Sequence, residues 1–200
     1  MSQEMLTETV QHLPPKYLLL FQEVLKDMFK CEDLAYLHLA DHGPVETMVP
    51  ALYRARIQAK MEKGSRGIAD ERSDGKKIAK AQKAAWHKNA HFQKFVEIYK
   101  SFIYEFVFPQ FANYGDLIYQ AEPIIRIVLP GSVATSKVHA DGDFWHQINE
   151  INFWVPLVQV SGANSLWCES SPGRGGWIPV YLSVCLSVCL SVCVSVSVCL

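Results

Sequence analysis

Around Tyr119 the hydrophobic period of this chain changes, and that change fixes what the two parts can build. Upstream, apolar residues recur at steps of three and four. From Lys16 to Lys30 they are Tyr17, Leu18, Phe21, Val24, Leu25, Met28 and Phe29, with Pro14 and Pro15 ahead of them as a helix start. A second helix is expected after Pro50, through Leu52, Ile57 and Met61 to Gly64. The third carries Phe92, Phe95, Val96, Tyr99, Phe102, Ile103 and Phe106 in one stripe and is expected to end at Pro109. So dense an aromatic face belongs against a sheet or another helix. Downstream, the segments YQAEPIIRIVLPG, SVATSKVHADGD, EINFWVPLVQV and NSLWCES are short and rich in β-branched and aromatic residues. Pro-Gly, Asp-Gly and Ser-Gly turns separate them, which predicts successive strands of an antiparallel sandwich or jelly roll. The fold class expected is α+β.

This pattern divides the chain into three regions. Residues 1–118 are helical, with a mobile charged loop near 63–83 (KGSRGIADERSDGKKIAKAQK); residues 119–174 form the strand-rich core; residues 175–200 are a low-complexity repeat. The loop lysines Lys76, Lys77, Lys80 and Lys83 read as a solvated face, because no aromatic is interleaved with them. Nineteen basic against twenty acidic side chains give no field to attract nucleic acid. No basic segment followed by an apolar stretch opens the chain, and only Cys31 and Cys168 lie in globular-looking sequence. A reducing, cytoplasmic setting without a disulfide framework is expected.

The candidate chemistry sits in KVHADGDFWHQINEINFW. His139 and Asp141 are two apart, so on a strand both side chains leave the same face and can meet one ion. Non-haem iron(II) oxygenases hold their metal with two histidines and one carboxylate on one face, which leaves positions open for co-substrate and oxygen. By itself a His-x-Asp pair is more commonly a surface feature.

Its surroundings narrow the choice. Tyr119-Gln120 with Pro123, Arg126, and Leu129-Pro130-Gly131 precede the pair; His146-Gln147, Glu150-Ile151-Asn152-Phe153-Trp154 and Pro156-Leu157 come after it. Then come Asn164-Ser165-Leu166-Trp167 and Glu169-Ser170 with Pro172-Gly173. In this order the blocks resemble the iron(II)/2-oxoglutarate-dependent dioxygenases of the streptomycin-biosynthesis-protein-like family, within the phytanoyl-CoA hydroxylase-like group. The resemblance spans roughly residues 90 to 175 and implies a helical N-terminal half packed on an incomplete double-stranded β-helix, a cupin-type jelly roll. It implies iron(II) as cofactor, 2-oxoglutarate as co-substrate, and O2 and a small molecule as the other reactants. His139 and Asp141 would be metal ligands. Arg126 and Asn152 either line the co-substrate pocket or face solvent, His146 is an alternative ligand or a turn residue, and Trp154 and Trp167 are expected in the core.

The chain also departs from that pattern. The family takes its second histidine, and the basic residue that pairs with the far carboxylate of 2-oxoglutarate, from late strands. This chain has no histidine after His146 and no lysine or arginine after Arg174. Beyond Pro179 lies a Ser-Val-Cys-Leu repeat, as a four-base DNA repeat read in triplets encodes it. Two protein ligands hold iron(II) poorly, and a buried carboxylate without its cation is costly. The expectation is an oxygenase without turnover, with two other possibilities: a non-catalytic binding module or truncation product, and a helical protein anchored in a membrane by its uncharged tail. Valine and leucine fill every even position from Val180 to Leu200, a period of two that suits a strand better than a membrane helix. The tail is expected to lack defined packing and to be prone to aggregation.

Overall fold

A computed structural model describes residues 13–41, 51–52, 55, 86–130, 150–160, 165–169, 177–179 and 191–199. Helix α1 runs over Pro15–Phe29, with Pro15 at its first position, where a missing N–H costs nothing. It ends where Lys30 turns to φ 53° and the Cys31 N–H reaches back to the Lys26 carbonyl. A 3-10 turn at Leu34–Leu39 comes next, started by the Asp33 carboxylate accepting from the Ala35 N–H. Of the second expected helix, Ala51, Leu52 and Ala55 are described, and they are helical and buried. The loop expected over 63–83 lies outside the described residues.

Helix α2 spans Ala90–Phe102, capped by the Asn89 side chain, which accepts from the N–H groups of His91 and Phe92. It does not stop at Pro109 as the sequence suggests. The path widens into a π-helical stretch at Ile103–Val107, and helix resumes over Phe108–Gln110. Within it the Phe108 N–H bonds the Ile103 carbonyl, five residues back. A proline ring collides with the carbonyl four residues before it in a regular helix, and a widened turn relieves that collision. Pro109 does disturb the helix, as its chemistry requires, but the helix does not end there.

Helices α1 and α2 pack through aromatic rings. Phe21, fully buried, meets Phe95 at 5.3 Å and Phe102 at 6.0 Å between centroids, and Tyr17 meets Phe102 edge-on at 5.5 Å. Edge-on and tilted pairings set positive ring edges against negative faces, and the same burial removes large apolar areas from water. Leu25, Phe29, Leu34, Leu37 and Leu52 complete this core.

The strands are β1 Ile118–Tyr119, β2 Ile124–Val128, β3 Glu150–Pro156, β4 Trp167–Glu169, β5 Trp177–Pro179 and β6 Ser191–Cys199. β4 and β5 pair with each other. β1, β2 and β3 all pair antiparallel with β6. Because β2 and β3 both pair with Cys193 to Ser195, they flank β6 on opposite edges. Both run antiparallel to β6, so they run parallel to each other. Ile125, Ile127 and Val155 are buried in the same core as the helices, while Ile124, Arg126 and Asn152 are exposed. One sheet face therefore packs on the helices and the other does not.

The architecture is mixed α+β, as the period change implies. Among the described residues the strands make one four-stranded and one two-stranded sheet, short of the two apposed sheets of a jelly roll. The expectation of an unpacked tail is overturned for residues 191–199: this stretch is the middle strand of the larger sheet. The physical reason is its period of two, which matches the pleat of a half-buried sheet, and its lack of charge, which removes the usual barrier to a central position.

Phe21→Ala is expected to cost about 3–5 kcal/mol in urea unfolding, since it empties the α1–α2 contact. Asn89→Ala is expected to cost about 1 kcal/mol for a lost cap. Val194→Pro, which deletes a donor from the middle strand, is expected to cost about 1–3 kcal/mol for the backbone partners it leaves unpaired. An unchanged midpoint for Val194→Pro would show that β6 does not support the sheet.

Candidate functional site

Arg126 and Asn152, singled out from sequence as pocket residues, both lie on the sheet face away from the helices, and both are exposed. Their positions are set by register. Arg126 stands opposite Cys193 and Asn152 opposite Ser197, on the two edges of β6. Four residues along one strand and two strand spacings across place their backbones roughly 17 Å apart, at about 3.4 Å per residue and 4.8 Å per strand. They share a face without converging on one point. Trp154, expected in the core, stands on this same face and is half-buried, because parity along β3 sends it away from the side of Phe153 and Val155.

His139, Asp141 and His146 lie outside the described residues. The chain that carries them, residues 129–149, leaves β2 beside Ser191 and enters β3 beside Cys199, so it joins opposite ends and opposite edges of β6. Parallel strands of one sheet require such a crossover. An imidazole and a carboxylate suit a divalent first-row metal such as iron(II), so the donor chemistry fits the expected ion as far as two ligands go. Among the described residues, no group of three or more His, Cys, Asp or Glu side chains is placed to hold a metal ion.

The strands that border this crossover are tied to the helices by polar contacts. The Tyr99 hydroxyl, buried in α2, donates to the Gln120 carbonyl at 2.6 Å. Burial and the neighbouring Tyr119 push the Tyr99 hydroxyl well above its ordinary pKa, so it stays a donor. The Tyr119 ring lies 6.2 Å from that of Tyr99 and 6.1 Å from that of Tyr104. Its hydroxyl is raised by a hydrogen bond with Tyr104 and by burial. In the turn between β1 and β2, Glu122 Oε1 sits 3.1 Å from His87 Nδ1. At the other end, Gln22 Nε2 of α1 donates to the Leu157 carbonyl at 2.8 Å, just after β3. Gln120 is thus held against α2, and Leu157 against α1.

Sequence reasoning misses Tyr99 and Gln22 as anchors. Tyr99 is signalled in principle, since a tyrosine in an otherwise apolar stripe needs a partner for its hydroxyl. Nothing local to Gln22 points to Leu157, 135 residues away. Cys31 is a free thiol, half-buried, and its ionisation is suppressed by burial and by Asp33. It is poorly suited to act as a nucleophile. The side chains of Cys168 and Trp167 lie outside what is described.

Part of this chain is 43% identical, over 58 residues, to the streptomycin biosynthesis protein StrG of Streptomyces griseus. The match takes in 28% of this chain and 29% of that protein, so the chain covers less than a third of its relative's length. No family model matches the chain, and no solved structure matches it. No helix among the described residues is long and apolar enough to cross a membrane.

Tyr99→Phe is expected to destabilise the chain by about 1–3 kcal/mol, because it leaves the Gln120 carbonyl without its donor. It should also speed hydrogen exchange in β1 and β2 relative to α1. Equal acceleration in both regions would argue against a local anchor.

Proposed function

We propose that this chain derives from the iron(II)/2-oxoglutarate-dependent oxygenases that hydroxylate small molecules, and that as a 200-residue chain it binds iron(II) weakly without turning over. The observation that carries this reading is the His139-x-Asp141 pair, set among blocks in family order, in a chain with partial identity to a streptomycin biosynthesis protein. The jelly roll of such enzymes is part of the same proposal.

One face of the sheet is occupied by the helices. The other face carries Arg126, a permanent cation with a planar fork of donors suited to a carboxylate. Arg126 and Asn152 are the candidates to line the 2-oxoglutarate pocket. When bound, iron(II) would supply the redox chemistry by which O2 places one oxygen atom in the succinate formed from 2-oxoglutarate, with release of CO2, and the other on the substrate carbon. His139 and Asp141 would hold the metal, and Arg126 would orient a carboxylate of 2-oxoglutarate.

The weakness comes from donor count. A facial triad needs three protein ligands, and β6 supplies neither a histidine nor a cation. Titration of the full chain with iron(II) under anaerobic conditions should show weak binding, removed by chelators. His139→Ala should weaken it further by at least about tenfold, as losses even of residues that merely support ligands do. Unchanged affinity in His139→Ala would refute the metal site. Succinate formation should stay at background; an ordinary rate of roughly 1 per second or more, lost in His139→Ala, would refute the claim of inactivity while sustaining the site.

A further inference from the structure

We propose that β6 occupies its slot in more than one register, sliding in steps of two residues between β2 and β3. Three observations lead there. First, among the described residues β1, β2 and β3 each pair with β6 and with no other strand, so their three ladders share a register that β6 sets. Second, the sequence from Val180 to Leu200 alternates without a break, apolar residues on even positions and Ser, Cys or Tyr on odd ones. Third, that alternation continues upstream of Ser191, where β6 begins.

Register is normally fixed because a one-residue slip turns every buried side chain outward. A two-residue slip does not. In the observed register Val194 stands opposite Ile125 and Val155, and Val192 opposite Ile127. Moved by two, Val192 would meet Ile125 and Val155, and Leu190 would meet Ile127; moved by four, Val188 would meet Ile127. Every rung would keep an apolar residue opposite the buried positions of β2 and β3 and a small polar one opposite the exposed positions. No backbone pair is lost either, since residues 189 and 190 replace Val198 and Cys199 in the ladder. The devices that usually pin a strand are a charge, a proline, a bulge or a distinctive cross-strand pair, and residues 183–200 contain no charge, proline, glycine or aromatic side chain.

The cysteines report the register directly. Arg126 stands opposite Cys193, while Ile124 and Val128 stand opposite Ser195 and Ser191. A two-residue slip brings Cys193 opposite Ile124. Positions 124 and 126 have the same parity on β2 and hence the same pairing geometry, and both side chains are exposed. Opposed Cα atoms in antiparallel strands lie roughly 4.5–5.5 Å apart, within reach of a disulfide.

The test uses the full chain carrying either Arg126→Cys or Ile124→Cys, oxidised as dilute monomer, with linked peptides identified by mass spectrometry. Arg126→Cys is expected to link to Cys193. Ile124→Cys is expected to link to the same Cys193 at no less than roughly a tenth of that yield, the range of a well-populated minor state. A link from position 126 to Cys193 with none from position 124 would establish a single register and overturn the proposal. Failure of position 126 to link to Cys193 would overturn it too, because the ladder from which the slip departs would then be absent.

Discussion

The sheet depends on one strand's backbone. β1, β2 and β3 come from the middle of the chain, and each makes its ladder with β6. A strand that lies between two others needs its N–H and C=O groups satisfied on both edges and no charge to bury on the packed face. A valine-rich stretch of period two meets both conditions. Once β6 is in place, Ile125, Ile127 and Val155 are set on the side of the helices, and the Phe21, Phe95 and Phe102 cluster has a sheet to close against. The anchors from Gln22 to Leu157 and from Tyr99 to Gln120 then fix which parts of the sheet meet which helix.

The helices are legible in the sequence because their signals are local. A proline start and an apolar stripe at steps of three and four act within a turn or two of the residues that carry them. At Pro109 the local physics holds but its consequence is softer than a helix end: the clash is real, yet a widened turn at Ile103–Val107 absorbs it and the helix goes on to Gln110. β2 and β3 are legible for the same reason as the helices, their composition and turns. Their shared partner is not. Pairing is a relation between segments, and no residue in Ile124–Val128 names Val192 or Val194 as its neighbour.

The candidate site divides along the same line. Its residues can be read from the sequence only as candidates: an imidazole and a carboxylate at i and i+2, which lie outside the described residues, and an arginine and an asparagine on strands of one sheet. Placement is legible only as far as parity goes. The sequence leaves Arg126 and Asn152 open between a pocket and solvent, and strand alternation sets both on the face opposite Ile125 and Val155. It says nothing about the rungs they occupy, and these differ by four positions along β6. The two candidates therefore share a face of the sheet but stand on opposite edges of β6.

The strand that completes the sheet carries no histidine and no charged side chain. Backbone pairing is indifferent to side chains provided that they alternate in polarity, so almost any uncharged segment of period two satisfies the edges of β2 and β3. Ligating a metal or pairing a carboxylate is not indifferent: it requires an imidazole or a guanidinium at a defined rung. β6 carries neither. The same regularity that lets it pair so readily also removes every feature that would hold one rung opposite one partner.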